Sequence, residues 1–260
     1  MQSNDIEKIM KFIKDNIGEN LTLKDIARHI NYSKFHVSHY FKKHTGYSIK
    51  QYIEAVKIEK SIADLMEENN SVTEIAYDSG HKSPGTFSNV FKKHTGLSPK
   101  KYKSQSQIAY RFLKNWIKKK NLLTYYDKSE TTDNKLAVSI EYPEDYRPKI
   151  TCTGLFKTPI PKELPVVGIA TVNNRNFVIE NIPNGEYFLL ICEIMEDLSL
   201  TRSYVLDYNF RGKLDDSLVF YGHTHLNQSI VMRRPVEDDP PITINLPVLI
   251  MKTFLQNSNL

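Results

Sequence analysis

The hexapeptide Phe41-Lys42-Lys43-His44-Thr45-Gly46 recurs unchanged as Phe91-Lys92-Lys93-His94-Thr95-Gly96, 50 residues downstream. The match extends to both sides. Ile26-Ala27 corresponds to Ile75-Ala76, one residue short of that offset, and Ser33 corresponds to Ser83. Ser48 with Tyr52 corresponds to Ser98 with Tyr102. Ordered matches of this kind, over roughly 30 residues, mark a duplicated unit rather than a chance hexapeptide.

Each copy reads as helix, turn, helix. Thr22-Leu23-Lys24-Asp25 and Ser71-Val72-Thr73-Glu74 fit a capping box, in which a hydroxyl and a carboxylate satisfy free backbone N–H groups. Leu23, Ile26, Ala27 and Ile30 follow at helical spacing. The turns are Asn31-Tyr32 and Gly80-His81-Lys82, after which Ser33 and Ser83 suit an N-cap and Pro84 suits the first helical position. Val37 with Phe41, and Phe87 with Phe91, face inward at i, i+4, and Gly46 and Gly96 supply left-handed helix ends. Between the copies, Ser48 to about Glu68 reads as one helix opened by a Ser48–Gln51 box. At 1.5 Å per residue it spans roughly 30 Å, close to the ~34 Å between successive major-groove segments on one DNA face.

The chain to about Ser106 resembles the DNA-binding domain of AraC/XylS-type regulators. The resemblance is carried by Ile75-Ala76-Tyr77-Asp78-Ser79-Gly80 and by Phe87-Ser88-Asn89-Val90-Phe91 running on through Gly96-Leu97-Ser98-Pro99 to Tyr102. It covers about two fifths of the chain. Two positions depart from the family pattern: His81, where an aromatic is usual, and Lys103, where arginine is common. The resemblance implies a sequence-specific transcription regulator and favours activation over repression. It also implies RNA polymerase as a partner and places Phe35, Ser38 and His39 toward bases.

A recognition helix presents its N-terminal outward side chains to base edges, while flanking basic groups hold phosphates. The outward set is Lys34, Phe35, His36, Ser38 and His39 in copy one, and Pro84, Gly85, Thr86, Ser88 and Asn89 in copy two. Phe35 suits thymine methyls, His39 a guanine acceptor and Asn89 a bidentate adenine contact. Ser33, Lys42, Lys43, Ser83, Lys92 and Lys93 are the candidate phosphate contacts; lysine pairs there also complement the helix dipole. Neither base-reading set contains arginine, so phosphate contacts and DNA shape are expected to carry more weight than usual. The spacing of His36, His39, His44 and His94 lacks a ligand pattern, and no metal is expected.

Charge divides the chain in the same way. Residues 1–120 hold 22 Lys+Arg and 12 Asp+Glu, against 13 and 18 in the remainder, within a net charge of +5. A basic first half pairs with nucleic acid, although solvated lysine-rich faces are common. Apolar content of 40% and charged content of 25% are those of a folded protein. The chain shows no apolar run long enough for a membrane span and no secretory leader, so a cytoplasmic location is expected.

Gln107 to Lys120 reads as an amphipathic connecting helix containing Ile108, Phe112, Trp116 and Lys118-Lys119-Lys120, and Asp127 to Lys135 as a polar linker. From Leu136 onward, short runs punctuated by Pro, Gly and Asn predict strands at 136–141, 150–156, 166–172, 176–180, 186–195, 203–208, 217–222, 228–233 and 247–254. Asn184-Gly185 marks a turn. The segment Val166 to Tyr187 resembles carboxypeptidase-regulatory-like β-sandwich domains. The predicted fold is therefore multidomain α plus β. A double helix-turn-helix domain at 1–106 is followed by a connector at 107–134 and a mainly antiparallel, sandwich-like domain at 135–260.

The second domain is expected to serve dimerisation, effector sensing or contact with another protein. A ligand-gated regulator would line a concave site with Tyr204, Tyr208, Phe210 and Phe220; a DNA-binding adaptor would instead expose an apolar patch. No nucleophile elbow, Gly-rich phosphate loop or paired-carboxylate signature points to an enzyme or a cofactor. His223 and His225, with Asp215 and Asp216 nearby in sequence, lack a third ligand of diagnostic spacing. Cys152 and Cys192 fall in predicted strands and read as buried thiols, with a redox-sensing pair as the sharper alternative.

Overall fold

Three capping boxes start three of the N-terminal helices. Thr22 with Asp25, Ser48 with Gln51 and Ser71 with Glu74 each make both reciprocal bonds, which removes orphan donors that helix starts otherwise leave. In the computed structural model, which describes residues 3–67, 70–119, 122–128, 131–147, 150–194, 204, 206 and 209–257, these caps open α2 (Leu23–His29), α4 (Ile49–Met66) and α5 (Val72–Asp78). The second helices of the two units are α3 (Lys34–Thr45) and α6 (Pro84–Thr95). Both end at a glycine with φ of 76° (Gly46 and Gly96), a conformation that costs an L side chain about 1–2 kcal/mol.

An additional helix, α1 (Ser3–Asp15), lies outside the repeat and buries Ile9, Met10 and Ile13 in the core of the first unit, against Ile26, Val37, Phe41 and Tyr52. The second unit builds the same nucleus from Ile75, Phe87, Phe91 and Tyr102, with Phe91 edge-on to both Phe87 and Tyr102 at 5.6 and 5.5 Å. The two departures from the family pattern are accommodated. The His81 ring packs 5.3 Å from Phe87 in the space an aromatic would take, and Lys103 Nζ donates to the Glu67 carbonyl at the end of α4 at 2.9 Å.

The expected connecting helix does not begin at Gln107. Helix α7 (Pro99–Lys119) starts inside the second unit and runs on without a break. Nothing between Tyr102 and Trp116 breaks a helix, and Tyr102, Ala109, Leu113 and Trp116 keep one buried stripe. The side chains of Lys118, Lys119 and Lys120 lie outside the described residues.

The C-terminal half is strand-rich, as the sequence predicts. A six-stranded antiparallel sheet runs β1 (Leu123–Tyr126), β5 (Val167–Val172), β3 (Ile150–Phe156), β7 (Gly185–Ile194), β8 (Arg211–Lys213), with β9 (Leu218–Phe220) also pairing β7. A three-stranded sheet places β2 (Lys135–Glu141) between β6 (Asn176–Ile179) and β10 (His225–Val231), the latter parallel to β2. The minor pair β4 (Lys162–Glu163) and β11 (Thr243–Ile244) is parallel too. Leu136, Ile140, Ile179, Leu189, Ile191 and Phe220 share the core between the two larger sheets. The opposite face of the six-stranded sheet is also covered, which explains the nearly continuous apolar run in β7.

Two expectations fail here. Residues 247–254 are not a strand but part of α8 (Leu246–Gln256), capped by the Asn245 side chain on Val248 N–H, with Pro247 in the first turn. Its buried Leu246, Ile250 and Thr253 have helical spacing, and together with α7 it covers the sheet. Strand β1 arises in the expected connector, where Tyr125 alternates inward opposite Gly168. Most of the expected strand at 203–208 lies outside the described residues.

The two halves share one core. Phe91, Tyr102 and Trp116 belong to the same buried cluster as Leu190, Ile194, Leu246 and Ile250. Ile160, from the segment after β3, enters the core of the first unit. Polar bonds reinforce the junction: Ile242 N–H donates to Glu59 at 2.8 Å, the Tyr102 hydroxyl to the Ile244 carbonyl at 3.3 Å, and the Tyr204 hydroxyl to the Ser106 carbonyl at 3.1 Å.

His94 sits at this junction. Its Nδ1 lies 3.3 Å from Thr243 Oγ1 and its Nε2 3.9 Å from Glu54, and Lys93 and Lys162 also face it. Burial lowers its pKa, which the Glu54 charge only partly opposes; burial likewise lowers His81. A histidine that protonates less readily folded than unfolded leaves stability intact above its unfolded pKa of about 6.5 and removes it as pH falls below that. The urea midpoint should therefore drop between pH 7.5 and pH 5.5, and His94→Gln should flatten that dependence. An unaltered slope in the variant excludes His94 as its source.

Candidate nucleic-acid interface

Ser33 and Ser83 occupy the predicted N-caps. Their hydroxyls accept from His36 and Thr86 N–H at 3.2 Å each, so the two serine side chains hold the starts of α3 and α6. From these caps α3 projects Phe35, Ser38, His39, Lys42 and Lys43 along one stripe at i, i+3, i+4, i+7 and i+8, around a shallow surface groove. Phe35 is 82% exposed. It lies parallel to His39, with ring centroids 6.2 Å apart.

Lys34 and His36 flank this stripe. His36 is engaged in a second row of rings that sequence reasoning missed: Tyr32, His36, Tyr40 and His44 follow at i, i+4 with centroids 5.3, 6.1 and 4.0 Å apart. The signal was legible as an aromatic every fourth residue. The row holds His36 between two tyrosines and braces the helix beside its exposed stripe.

On α6 the equivalent stripe is Gly85, Ser88, Asn89, Lys92 and Lys93. Gly85, Asn89, Lys92 and Lys93 are exposed and Ser88 half-buried. Pro84 is half-buried at the first helical position, and the Thr86 hydroxyl lies 3.0 Å from Ser83 Oγ, so these two shape the helix start. Lys93, though exposed, turns toward Glu54 at 3.6 Å. The C-terminal histidines differ: His44 is exposed, whereas His94 is buried at the junction described above.

Residues 26–105 match the family model described as a helix-turn-helix domain. This region is an AraC-type DNA-binding domain. The multiple antibiotic resistance protein MarA of Escherichia coli (strain K12) is 34% identical over 83 residues, 32% of this chain and 65% of MarA. The HTH-type transcriptional activator AarP of Providencia stuartii is 35% identical over 75 residues, 29% of this chain and 56% of AarP. The chain thus spans 65% or less of the length of these relatives. Among solved structures, the C-terminal domain of AraT, a response regulator from Geobacillus stearothermophilus, is similar at 27% identity. The alignment covers 39% of this chain and 85% of that one, with a TM-score of 0.38.

The remaining sequence candidates are not brought to this interface. Tyr204 is buried in the core shared with the AraC-type domain, while Phe210 and Phe220 are buried between the two sheets. Tyr204 thus lies in a different cluster from Phe210 and Phe220, and Tyr208 lies outside the described residues. His223 and His225 approach Asp133 rather than Asp215 or Asp216: His223 Nδ1 and His225 Nε2 lie 3.0 and 3.6 Å from one Asp133 oxygen. Asp215 instead pairs with Lys213 at 2.6 Å. Among the described residues no three His, Cys, Asp or Glu side chains are arranged to hold a metal ion. None of the described helices is long and apolar enough to cross a membrane.

Cys152 and Cys192 stand directly opposite each other on β3 and β7 as free cysteines. Burial pushes their thiols up to about 12 and about 11. Both are held protonated at neutral pH, the form that is a poor nucleophile.

Proposed function

We propose that this chain is a sequence-specific transcription regulator acting in the cytoplasm, with α3 and α6 entering adjacent major grooves of double-stranded DNA. The observation that carries this reading is the pair of matched exposed stripes, one on each second helix of the duplicated unit. Each stripe offers side chains for base edges at its N-terminal end and lysines for phosphate at its C-terminal end. Helix α4, with 18 residues and therefore about 27 Å, is the rigid spacer between the units.

Residues 1–106 are the reading domain, and residues 135–260 form a regulatory domain that also braces it. Activation is the favoured mode, since AarP is named an activator, with RNA polymerase as the further partner and a homodimer as the candidate assembly.

The test is a footprint on genomic fragments, followed by lysine substitution. Lys42→Ala with Lys92→Ala should weaken binding to all sequences alike. It should also reduce the slope of log affinity against log salt by about 0.9 for each phosphate that is no longer neutralised. A double variant with the wild-type slope assigns phosphate neutralisation to other residues.

A further inference from the structure

Helices α7 and α8 do not close completely over the six-stranded sheet. A cavity of about 50 Å³ remains, lined by Leu113 and Trp116 of α7, Leu249, Ile250 and Phe254 of α8, and Ala170 of β5. Two hydroxyls in its wall are committed, that of Thr253 to the Leu249 carbonyl at 2.7 Å and that of Tyr125 to Asp127 at 3.2 Å, whereas the buried Thr153 hydroxyl in the same wall has no hydrogen-bond partner. A guest carrying more hydrogen-bonding groups than the one Thr153 can meet would give up water here without compensation, so the lining selects a largely apolar guest. The space is about a third of the ~150 Å³ apolar cavity that stays dry and takes up benzene or xenon, which limits the guest to a few non-hydrogen atoms.

The two helices that roof the cavity are also those that touch the second helix-turn-helix unit. Helix α7 carries Tyr102, which packs on Phe91. Helix α8 begins at Asn245, whose amide lies beside Gly96 at the end of α6.

We propose that this cavity binds small, uncharged, largely apolar molecules carrying at most one hydrogen-bonding group, and that α7 and α8 transmit occupancy to the second unit. The transmission rests on the DNA-reading function proposed above; the binding does not. Trp116 is the chain's one tryptophan and lines the site, so its fluorescence reports directly.

Titration of the full chain with 1-bromopropane, a heavy-atom quencher, should give saturable quenching. Ala170→Leu, which fills the space, should weaken that binding at least tenfold. Ala170→Val, a smaller intrusion, should give an intermediate loss and keeps the test valid if the leucine variant does not fold. Quenching that rises linearly without saturation, or that is equal in wild type and Ala170→Val, overturns the site.

At saturating 1-bromopropane, affinity for a footprinted DNA site should change at least threefold in the wild type and less in Ala170→Val. Unchanged affinity alongside saturable quenching overturns the transmission. Absence of discrete DNA sites would contradict the DNA-reading function while leaving the binding isotherm standing.

Discussion

Phe91→Ala is expected to destabilise the protein by about 3–5 kcal/mol, the range for truncating a buried phenylalanine. Phe91 is wholly buried and held edge-on between Phe87 and Tyr102, so neighbouring rings can collapse into the vacated space only by abandoning their own packing. Its cluster continues through Trp116 to Leu190, Ile194 and Ile250. The damage should therefore appear in both halves of the chain. In a urea titration, far-ultraviolet dichroism, dominated by the helices, and Trp116 fluorescence should shift to lower denaturant together. A fluorescence midpoint that stays at the wild-type value would show that the shared core does not couple the AraC-type domain to the β-rich half.

The second large effect belongs to the exposed stripes. Phe35→Ala with Asn89→Ala removes one proposed base-reading side chain from each of α3 and α6 while leaving caps and cores untouched. Losses of about 1–3 kcal/mol per specific interaction, roughly additive for separated positions, imply specific affinity lower by about 30-fold or more. Nonspecific affinity, set by phosphate neutralisation, should change little. Competition between a footprinted site and bulk DNA measures the ratio directly. A double variant that loses both affinities in parallel would mean that these side chains support the helices rather than read bases.

Much of the N-terminal half was legible because its determinants are local. The capping boxes, Pro84, the glycine helix ends and the inward Val37–Phe41 and Phe87–Phe91 pairs each act within a few residues. Duplication then repeats each of these features but Pro84, whose counterpart is Lys34. The β-rich half was legible in most of its longer strands but not in the short β4, β8 and β11, nor in how the strands pair. The parallel pairing of β10 with β2 joins residues 90 positions apart, and nothing local encodes it.

Helix α8 was misread because Val248, Leu249 and Ile250 look strand-like, although Asn245, Pro247 and the Leu246, Ile250, Thr253 spacing point to a helix. β1 was missed because four residues beside a polar stretch give too short an alternation. At the interface, the exposed stripe of α3 followed from helical spacing. The different fates of His44 and His94 did not, because identical hexapeptides meet different surroundings: solvent in one unit, Thr243 and Glu54 in the other.

The central claim is that two recognition helices on one rigid spacer read DNA sequence together. Footprinting the full chain on genomic fragments across a salt series tests it most directly. The account predicts discrete protected sites spanning two adjacent major-groove segments, with affinity falling steeply as salt rises. Salt-sensitive binding spread evenly along the DNA, with no discrete sites, would contradict it.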